Sequence, residues 1–400
     1  MAGGPLAGVR VVDLTTVVVG PICTRTLADQ GAEVIKVEAP GGDILRYLAA
    51  GSRSPAMSGK FINFNRNKRS IVLDLKQAPA LEAMRRLIAG ADVFVSNVRP
   101  EALKRLGLDA ETLLAVHPRL IHCAILAFGS GGRYYNRPAY DPIIQSLSGV
   151  AGTFERATGE PRFVPMVMTD HITGLIAAQC IGFALYRRER TGVGEAVEVP
   201  MFENAASFVM SEHLGAATFV PPEGPTGDGR LLSPDYRPLP TKDGYITAHP
   251  NTNAQAFAFF EAIGRPELKD DPRFNSPIAR TENAQAYFDV RVAGLRQKTT
   301  EEWLAIFARL DVPAARYNRI DDLLGDPHLI DVGFWHEDWH PTEGPIRRTR
   351  VANTFSGGGR EETLPAPRLG AQTRDVLAEA GYGADEISAL LASGAAIQAD

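Results

Sequence analysis

The sequence predicts an α/β fold, and three observations carry the prediction. Short apolar runs alternate with helical stretches through the first 130 residues. Pro and Gly punctuate those helices in the expected order, Pro near a start and Gly just past an end. A stretch rich in Pro and Gly then separates this half from a shorter one of mixed character. Strands alternating with helices imply a parallel sheet with helices packed on it, and 400 residues favour two domains over one.

The elements follow in order. "VRVVDL" (9–14) is an apolar strand, Pro21 opens a helix that runs to about Gln30, Gly31 ends it, and "AEVIKVE" (32–38) is the second strand. "SIVLDL" (70–75) precedes a helix at about 79–89. "ADVFVSN" (91–97) precedes "PEALKRLG", and "LIHCAILAF" (120–128) is a long apolar strand. A helix over 171–190 ends at Gly192 and Gly194, before a strand in "EAVEVPM". The Pro- and Gly-rich stretch 216–240 reads as a linker. Beyond it, "DGYITAHP" is a strand and helices follow at about 254–263, 281–296 and 300–309, a smaller α+β unit. The tail forms two short helices separated by Gly383.

Composition narrows the function. A net charge of -5 and a pI near 6.0 leave no global footprint for nucleic acid. The local basic clusters "NRNKRS" (65–70) and "YRRER" (186–190) suit a small anionic ligand or a solvated surface better than a duplex. The longest apolar run, "GLIAAQCIGFALY", is broken by Gln179 and too short for a membrane span, and the N-terminus lacks the pattern of a signal peptide. Cys23, Cys123 and Cys180 are odd in number and far apart in apolar contexts, which predicts buried free thiols and a cytoplasmic protein.

Several motifs fail on context. The opening β-α-β carries acidic Glu38 at the end of its second strand, as a dinucleotide site would, but its turn "DLTTVVVGP" lacks G-x-G-x-x-G. This argues against a nucleotide-dependent dehydrogenase. "HEDWH" (336–340) matches H-E-x-x-H, yet Gly333 and Pro341 around it disfavour the helix that zinc binding needs, so no metal site is expected. "VPMVMTDHITG" (164–174) stops an apolar run at Thr169-Asp170, just before the long apolar helix. Asp170 reads as an N-cap, or as a carboxylate nucleophile that the helix N-terminus keeps ionised. Locally both readings stand. His171 beside it reads as a solvent-facing residue of the first turn.

Taken together, the motifs resemble the class III CoA-transferase family, which includes formyl-CoA:oxalate and carnitine CoA-transferases. The resemblance rests on "GPICTRTLADQGAEVIKVEAPGGD" (20–43), "NKRSIVLDLK" (67–76), "ADVFVSNVRPEALKRLGL" (91–108), "AYDPIIQSLSG" (139–149), "TGVGEAVEVPM" (191–201) and "PAPRLGAQTRDVL" (365–377). It implies a catalytic aspartate at Asp170 that forms a mixed anhydride with the acyl group and then a thioester with CoA. It also implies CoA contacts at Val18, Ala39, Leu73, Lys76, Asn97, Arg105 and Tyr140. Acyl-CoA and a carboxylic acid would be the substrates, with no tightly bound cofactor. The fold implied is a Rossmann-like doubly wound large domain of 1–215 with 216–240 as linker. A small α+β domain of 241–325 follows, and 326–400 returns to complete the first domain in an interlocked homodimer.

The sequence departs from the family in places. Several relatives carry Arg where Ala39 stands, and the stretch comparable to a glycine run of the formyl-CoA transferases reads "HPNTNAQ" (249–255). The latter predicts an acid larger than, or shaped differently from, oxalate. The superfamily also holds α-methylacyl-CoA racemases, whose basic histidine aligns with Tyr140. A phenol with a pKa near 10 is a poor base at neutral pH, so transfer is favoured over racemisation.

Overall fold

The computed structural model describes residues 3–48, 51–359 and 363–399, which fall into two compact units. The first comprises residues up to 150, 163–210 and from 333 onward; the second comprises 151–162 and 211–332. Residues 151–162, within the large domain's expected span, thus group with the second unit.

The first unit opens with β1 (Arg10–Leu14), α1 (Val19–Asp29), β2 (Glu33–Glu38), α2 (Gly59–Asn65) and β3 (Lys68–Leu73). There follow α3 (Ala78–Ala89), β4 (Val93–Ser96), α4 (Pro100–Leu106), α5 (Ala110–Val116) and β5 (Ile121–Leu126). Then come α6 (Asp141–Leu147), α8 (Met168–Thr191), β6 (Ala196–Pro200) and α9 (Met201–His213), while α7 (Val150–Thr158), which follows α6 in the chain, groups with the second unit from residue 151 on. The strands pair in the order β3-β2-β1-β4-β5-β6, all parallel. The order reverses between β1 and β4, and loops at the carboxyl ends of those strands form a crevice there.

Side chains alternate across the sheet as a period of two requires. Val11, Val34, Val93, Val95, Ile121 and Cys123 face a core built with α1 and α8. Val12, Ile35, Ile71, Leu73 and Phe94 face the other way, toward α3 and the C-terminal helices. Both faces are therefore covered, and that explains runs such as "IVL" (71–73) and "VFV" (93–95) that are apolar without a break.

In the second unit, β7 (Leu239–Pro240), β8 (Tyr245–Ala248) and β9 (Ala314–Arg316) form an antiparallel sheet. Its helices are α10 (Asn253–Ala262), α11 (Pro277–Glu282), α12 (Ala284–Leu295), α13 (Thr300–Arg309) and α14 (Pro327–Asp331). The expected helix over 281–296 is two, broken at Asn283, which leaves helical geometry at ψ 37°. Capping boxes at Thr252/Gln255 and Thr299/Glu302 open α10 and α13. The core is aromatic, with Trp303 stacked on Phe307 at 5.2 Å between ring centroids and its indole N–H donated to the Leu295 carbonyl at 2.7 Å.

The chain finishes in the first unit with β10 (Trp335–His340), β11 (Gly344–Thr349), α15 (Thr373–Glu379), α16 (Ala384–Ala392) and β12 (Ala396–Ile397), which adds antiparallel to β3. "HEDWH" is the strand β10, paired with β11. Its His340 donates to the Ala366 carbonyl and accepts from the Thr342 amide, a structural use of the ring. Among the described residues no helix is long and apolar enough to cross a membrane.

The first basic cluster is neither solvated nor waiting for a ligand, whereas Arg187 and Arg190 of the second are exposed. Arg66 pairs with Asp29 and Lys68 with Asp13, both buried, and Arg69 bridges Glu33 and Glu379. In the second cluster, Arg188 pairs with Asp92 and Arg187 with Glu195. Cys23 and Cys123 are buried and Cys180 half-buried, all three free, and burial pushes each thiol up.

Candidate active site

A cleft of about 380 Å³ lies where the strand order reverses. The loops after β1 (Thr16 to Val19) and β4 (Asn97 to Pro100), the end of β5 and the segment Tyr135–Tyr140 wall it, and Asp170 opens into it.

The loop after β1 is pinned from beneath by buried charges. Asp13, fully buried, accepts from the hydroxyls of Thr15 at 2.5 Å and Thr24 at 2.7 Å and pairs with Lys68 at 3.2 Å. Burial would raise Asp13, but Lys68 and Lys36 hold its carboxyl below the usual range. Lys36 donates to the Thr15 carbonyl at 2.8 Å and to Asp43 at 2.9 Å, and Asp43 accepts the Val17 amide at 3.1 Å. The amide group of Asn97 both accepts the Thr16 N–H and donates to the Thr16 carbonyl. So held, Val17 adopts φ 68°, a left-handed conformation that a β-branched residue tolerates only where its surroundings dictate it.

The same framework disposes of the dinucleotide reading. Glu38, placed where an acid would meet a ribose, instead takes Arg46 through two bonds of 2.7 and 2.8 Å and the Ser70 hydroxyl at 2.7 Å.

Asp170 is the third residue of α8. The helix begins at Met168, its N-cap is Val167, and no side chain of its own caps it, so Asp170 is not the N-cap. The cap comes from Asp141, in the first turn of α6, which accepts the Thr169 amide at 2.7 Å, the Thr169 hydroxyl at 2.6 Å and the Asp170 amide at 3.3 Å. Gln145 braces the other oxygen of Asp141 at 2.6 Å. The Asp170 carboxylate itself, 7% exposed, accepts no hydrogen bond from any described residue. Burial, then the charge of Asp141, raises it to about 7. The helix N-terminus was expected to keep it fully ionised; Asp141 occupies those amides and opposes that effect. The result is a basic, unencumbered carboxylate facing a cleft, as suits a nucleophile titrating near neutral pH.

Two glycines allow the approach. A Cβ on Gly174, one turn beyond Asp170, would lie 2.6 Å from the Val19 carbonyl oxygen, and one on Gly20 would lie 2.2 Å from the Thr15 Cβ. Bare backbone at these points brings α8 against α1 and α1 against the loop. His171 is half-buried rather than facing solvent, its ring edge-on to Phe64 at 5.7 Å, and burial and Arg25 lower its pKa so that it stays neutral at pH 7.

Of the sequence-derived positions, Val18, Asn97, Tyr140 and Asp170 share the cleft. Ala39, Lys76 and Arg105 are exposed, and Leu73 is buried in the core; none of the four lines the cleft as it stands. Arg99 and Arg137 line it without having been singled out, and neither has a carboxylate partner among the described residues. Asp141 also went unremarked, although an Asp-Pro pair opening a helix is a legible signal.

The family model of CoA-transferase family III matches residues 6–373. The chain belongs to this family. Succinyl-CoA:glutarate CoA-transferase of Mus musculus is 32% identical over 98% of this chain and 90% of its own length. Cinnamoyl-CoA:phenyllactate CoA-transferase of Clostridium sporogenes is 30% identical over 96% and 95%. The crystal structure of a CAIB/BAIF family protein from Brucella suis superposes with a TM-score of 0.78 at 31% identity, covering 94% of this chain and all of that one. The protein is thus a class III CoA-transferase, and acyl-CoA is a substrate of such an enzyme.

Proposed function

We propose that this CoA-transferase moves CoA from an acyl-CoA to a carboxylic acid through covalent intermediates on Asp170. An Asp170 oxygen attacks the thioester carbonyl, the C–S bond breaks, and CoA leaves as a thiolate with a mixed anhydride behind it. The thiolate attacks the aspartyl carbonyl, and the first acid departs with an Asp170 oxygen. The acceptor carboxylate then attacks the aspartyl-CoA thioester, and the thiolate returns to the new acyl carbon. Each covalent step replaces a harder direct exchange, and none needs a metal. The observation that carries this reading is the Asp170 carboxylate at the cleft, without a hydrogen-bond donor among the described residues and raised to about 7.

The CoA-binding domain in this reading is the Rossmann-like body of 1–215 completed by 326–400, with 216–240 as linker and 241–325 as the second domain. Val18, Ala39, Leu73, Lys76, Asn97, Arg105 and Tyr140 contact CoA. Five of the seven end or follow parallel strands at the sheet's carboxyl edge, where ligands of such sheets bind, and the exposed Lys76 and Arg105 suit phosphates. Arg99 and Arg137 join them from the cleft wall. The enzyme works as an interlocked homodimer in the cytoplasm. Leu175, Phe183 and Tyr186 of α8 are more than half exposed, an apolar face that a second copy would cover. The relatives leave the acid open, since one is named for a diacid and another for an aromatic hydroxy acid.

Incubation with acyl-CoA should leave an adduct on Asp170 that hydroxylamine cleaves, and Asp170→Ala should lose both adduct and turnover. Exchange of the α-proton in deuterated water without an acceptor acid would point to a racemase instead.

A further inference from the structure

The loop that follows β1 is held by side chains rather than by a ladder. The Thr15 N–H donates to Asp13 at 3.0 Å, the Thr15 carbonyl accepts from Lys36 at 2.8 Å, and the Val17 N–H donates to Asp43 at 3.1 Å. Asn97 takes both the N–H and the carbonyl of Thr16 between them. These side chains come from β1, from β2 and the loop behind it, and from the loop after β4. Thr16 to Val19 wall the cleft that Asp170 faces, whereas Lys36 and Asp43 lie behind that wall and do not line it.

Lys36 and Asp43 are the deepest of these anchors. They pair at 2.9 Å, and neither side chain has any exposed surface. Lys36 Nζ divides its protons between Asp43 Oδ2 and the Thr15 carbonyl, while Asp43 Oδ1 takes the Val17 and Leu45 amides. Burial would lower the pKa of Lys36, but Asp13, Asp43 and Glu38 raise it, so the ammonium keeps its proton. A buried ion pair adds little net stability, since apolar residues of similar volume often do as well. An apolar pair could not bond the Thr15 carbonyl and the Val17 amide at once, and it is between those two bonds that Val17 adopts φ 68°.

We propose that Lys36 and Asp43 are positioning residues of the transferase: without touching substrate, they hold the loop wall against which acyl-CoA is placed. Without Lys36 the Thr15 carbonyl is buried and lacks a donor. It turns to find one, and the wall of the cleft moves with it. A displacement of about 1 Å in a reacting pair can cost on the order of 100-fold in rate, so a wall shift of that size registers in the kinetics. The role rests on the reading that acyl-CoA occupies this cleft, and not on the covalent steps at Asp170.

Thermal melts and steady-state kinetics on Lys36→Met, Asp43→Asn and the double variant test this. Each single change leaves a buried charge unpaired and should lower Tm. In the double variant Asp13 keeps Lys68, and the amide oxygen introduced at position 43 still accepts from Val17 and Leu45, so most of the lost Tm should return. KM for acyl-CoA should not return with it: it should stay about tenfold above wild type, with KM for the acceptor acid unchanged. A merely structural role predicts that KM recovers together with Tm. Wild-type KM in the double variant would overturn the proposal. So would a double variant no more stable than the singles, because the pair would then serve the fold itself. Asn97→Ala separates the proposal from the reading beneath it. Raised KM there beside wild-type KM in the double variant leaves acyl-CoA in the cleft and removes only the role of Lys36 and Asp43. Wild-type KM in both removes acyl-CoA from the cleft as well.

Discussion

Asp141 accepts the backbone N–H of Asp170 at 3.3 Å, so a second carboxylate sits against the helix end that carries the nucleophile. Asp141 fixes where α8 begins and at the same time holds the Asp170 carboxyl high. Orientation and part of the basicity thus come from one side chain, with burial supplying the larger part.

The pH profile should report that charge. Transfer needs ionised Asp170, so kcat/KM for acyl-CoA should rise through about pH 7. Asp141→Asn keeps an acceptor for the Thr169 amide but removes the negative charge, and should move this limb to lower pH by up to about one unit. A limb that stays in place would show that burial alone sets the basicity.

Stability should move the other way. Asp170 titrates near 7 when folded and near 4 when unfolded, so the folded chain binds the extra proton between those values. The stabilisation is complete below about pH 4 and is lost as pH rises through 7. Asp170→Asn escapes this loss, so at pH 8 it should be inactive yet more stable, by up to about 4 kcal/mol. Thermal melts at pH 8 and pH 4.5 check this: the gap in Tm should be largest at the higher pH and shrink at the lower.

Two glycines of α8 form a matched pair. Gly174→Ala places a Cβ 2.6 Å from the Val19 carbonyl oxygen, and should cost roughly 1–3 kcal/mol and most of the activity. Gly182→Ala meets nothing within 4 Å and should be neutral or stabilise by up to about 1 kcal/mol through helix propensity. Denaturant unfolding and initial rates on both variants separate the packing effect from propensity.

Asn97 holds the strained loop by two bonds to Thr16. Asn97→Ala should release Val17 from its left-handed conformation and raise KM for acyl-CoA about tenfold, with a stability loss of about 1 kcal/mol. Steady-state kinetics at varied acyl-CoA would register the change in KM before any change in kcat.

The parallel sheet was legible because its strands, buried on both faces, stand out as short apolar runs between Pro- and Gly-marked helices. The helix break at Asn283 was not, because no Gly or Pro marks the polar stretch Arg280-Thr-Glu-Asn283. Asp170 was visible as a carboxylate before a helix, but the start of that helix depends on Asp141, 29 residues before Asp170. The fate of "NRNKRS" was hidden for a similar reason: Arg66 and Lys68 are spent on Asp29 and Asp13, partners that no local window contains.

Oxygen-isotope transfer tests the central claim most directly. The enzyme is turned over with acyl-CoA and an acceptor acid labelled with oxygen-18 in its carboxylate, then digested, and the peptide holding Asp170 is weighed by mass spectrometry. When the acceptor's oxygen attacks the aspartyl-CoA thioester and CoA then takes the acyl carbon, that oxygen stays on Asp170. The account therefore predicts label in the Asp170 side chain, dependent on both substrates. Full turnover with no label in that peptide would contradict it.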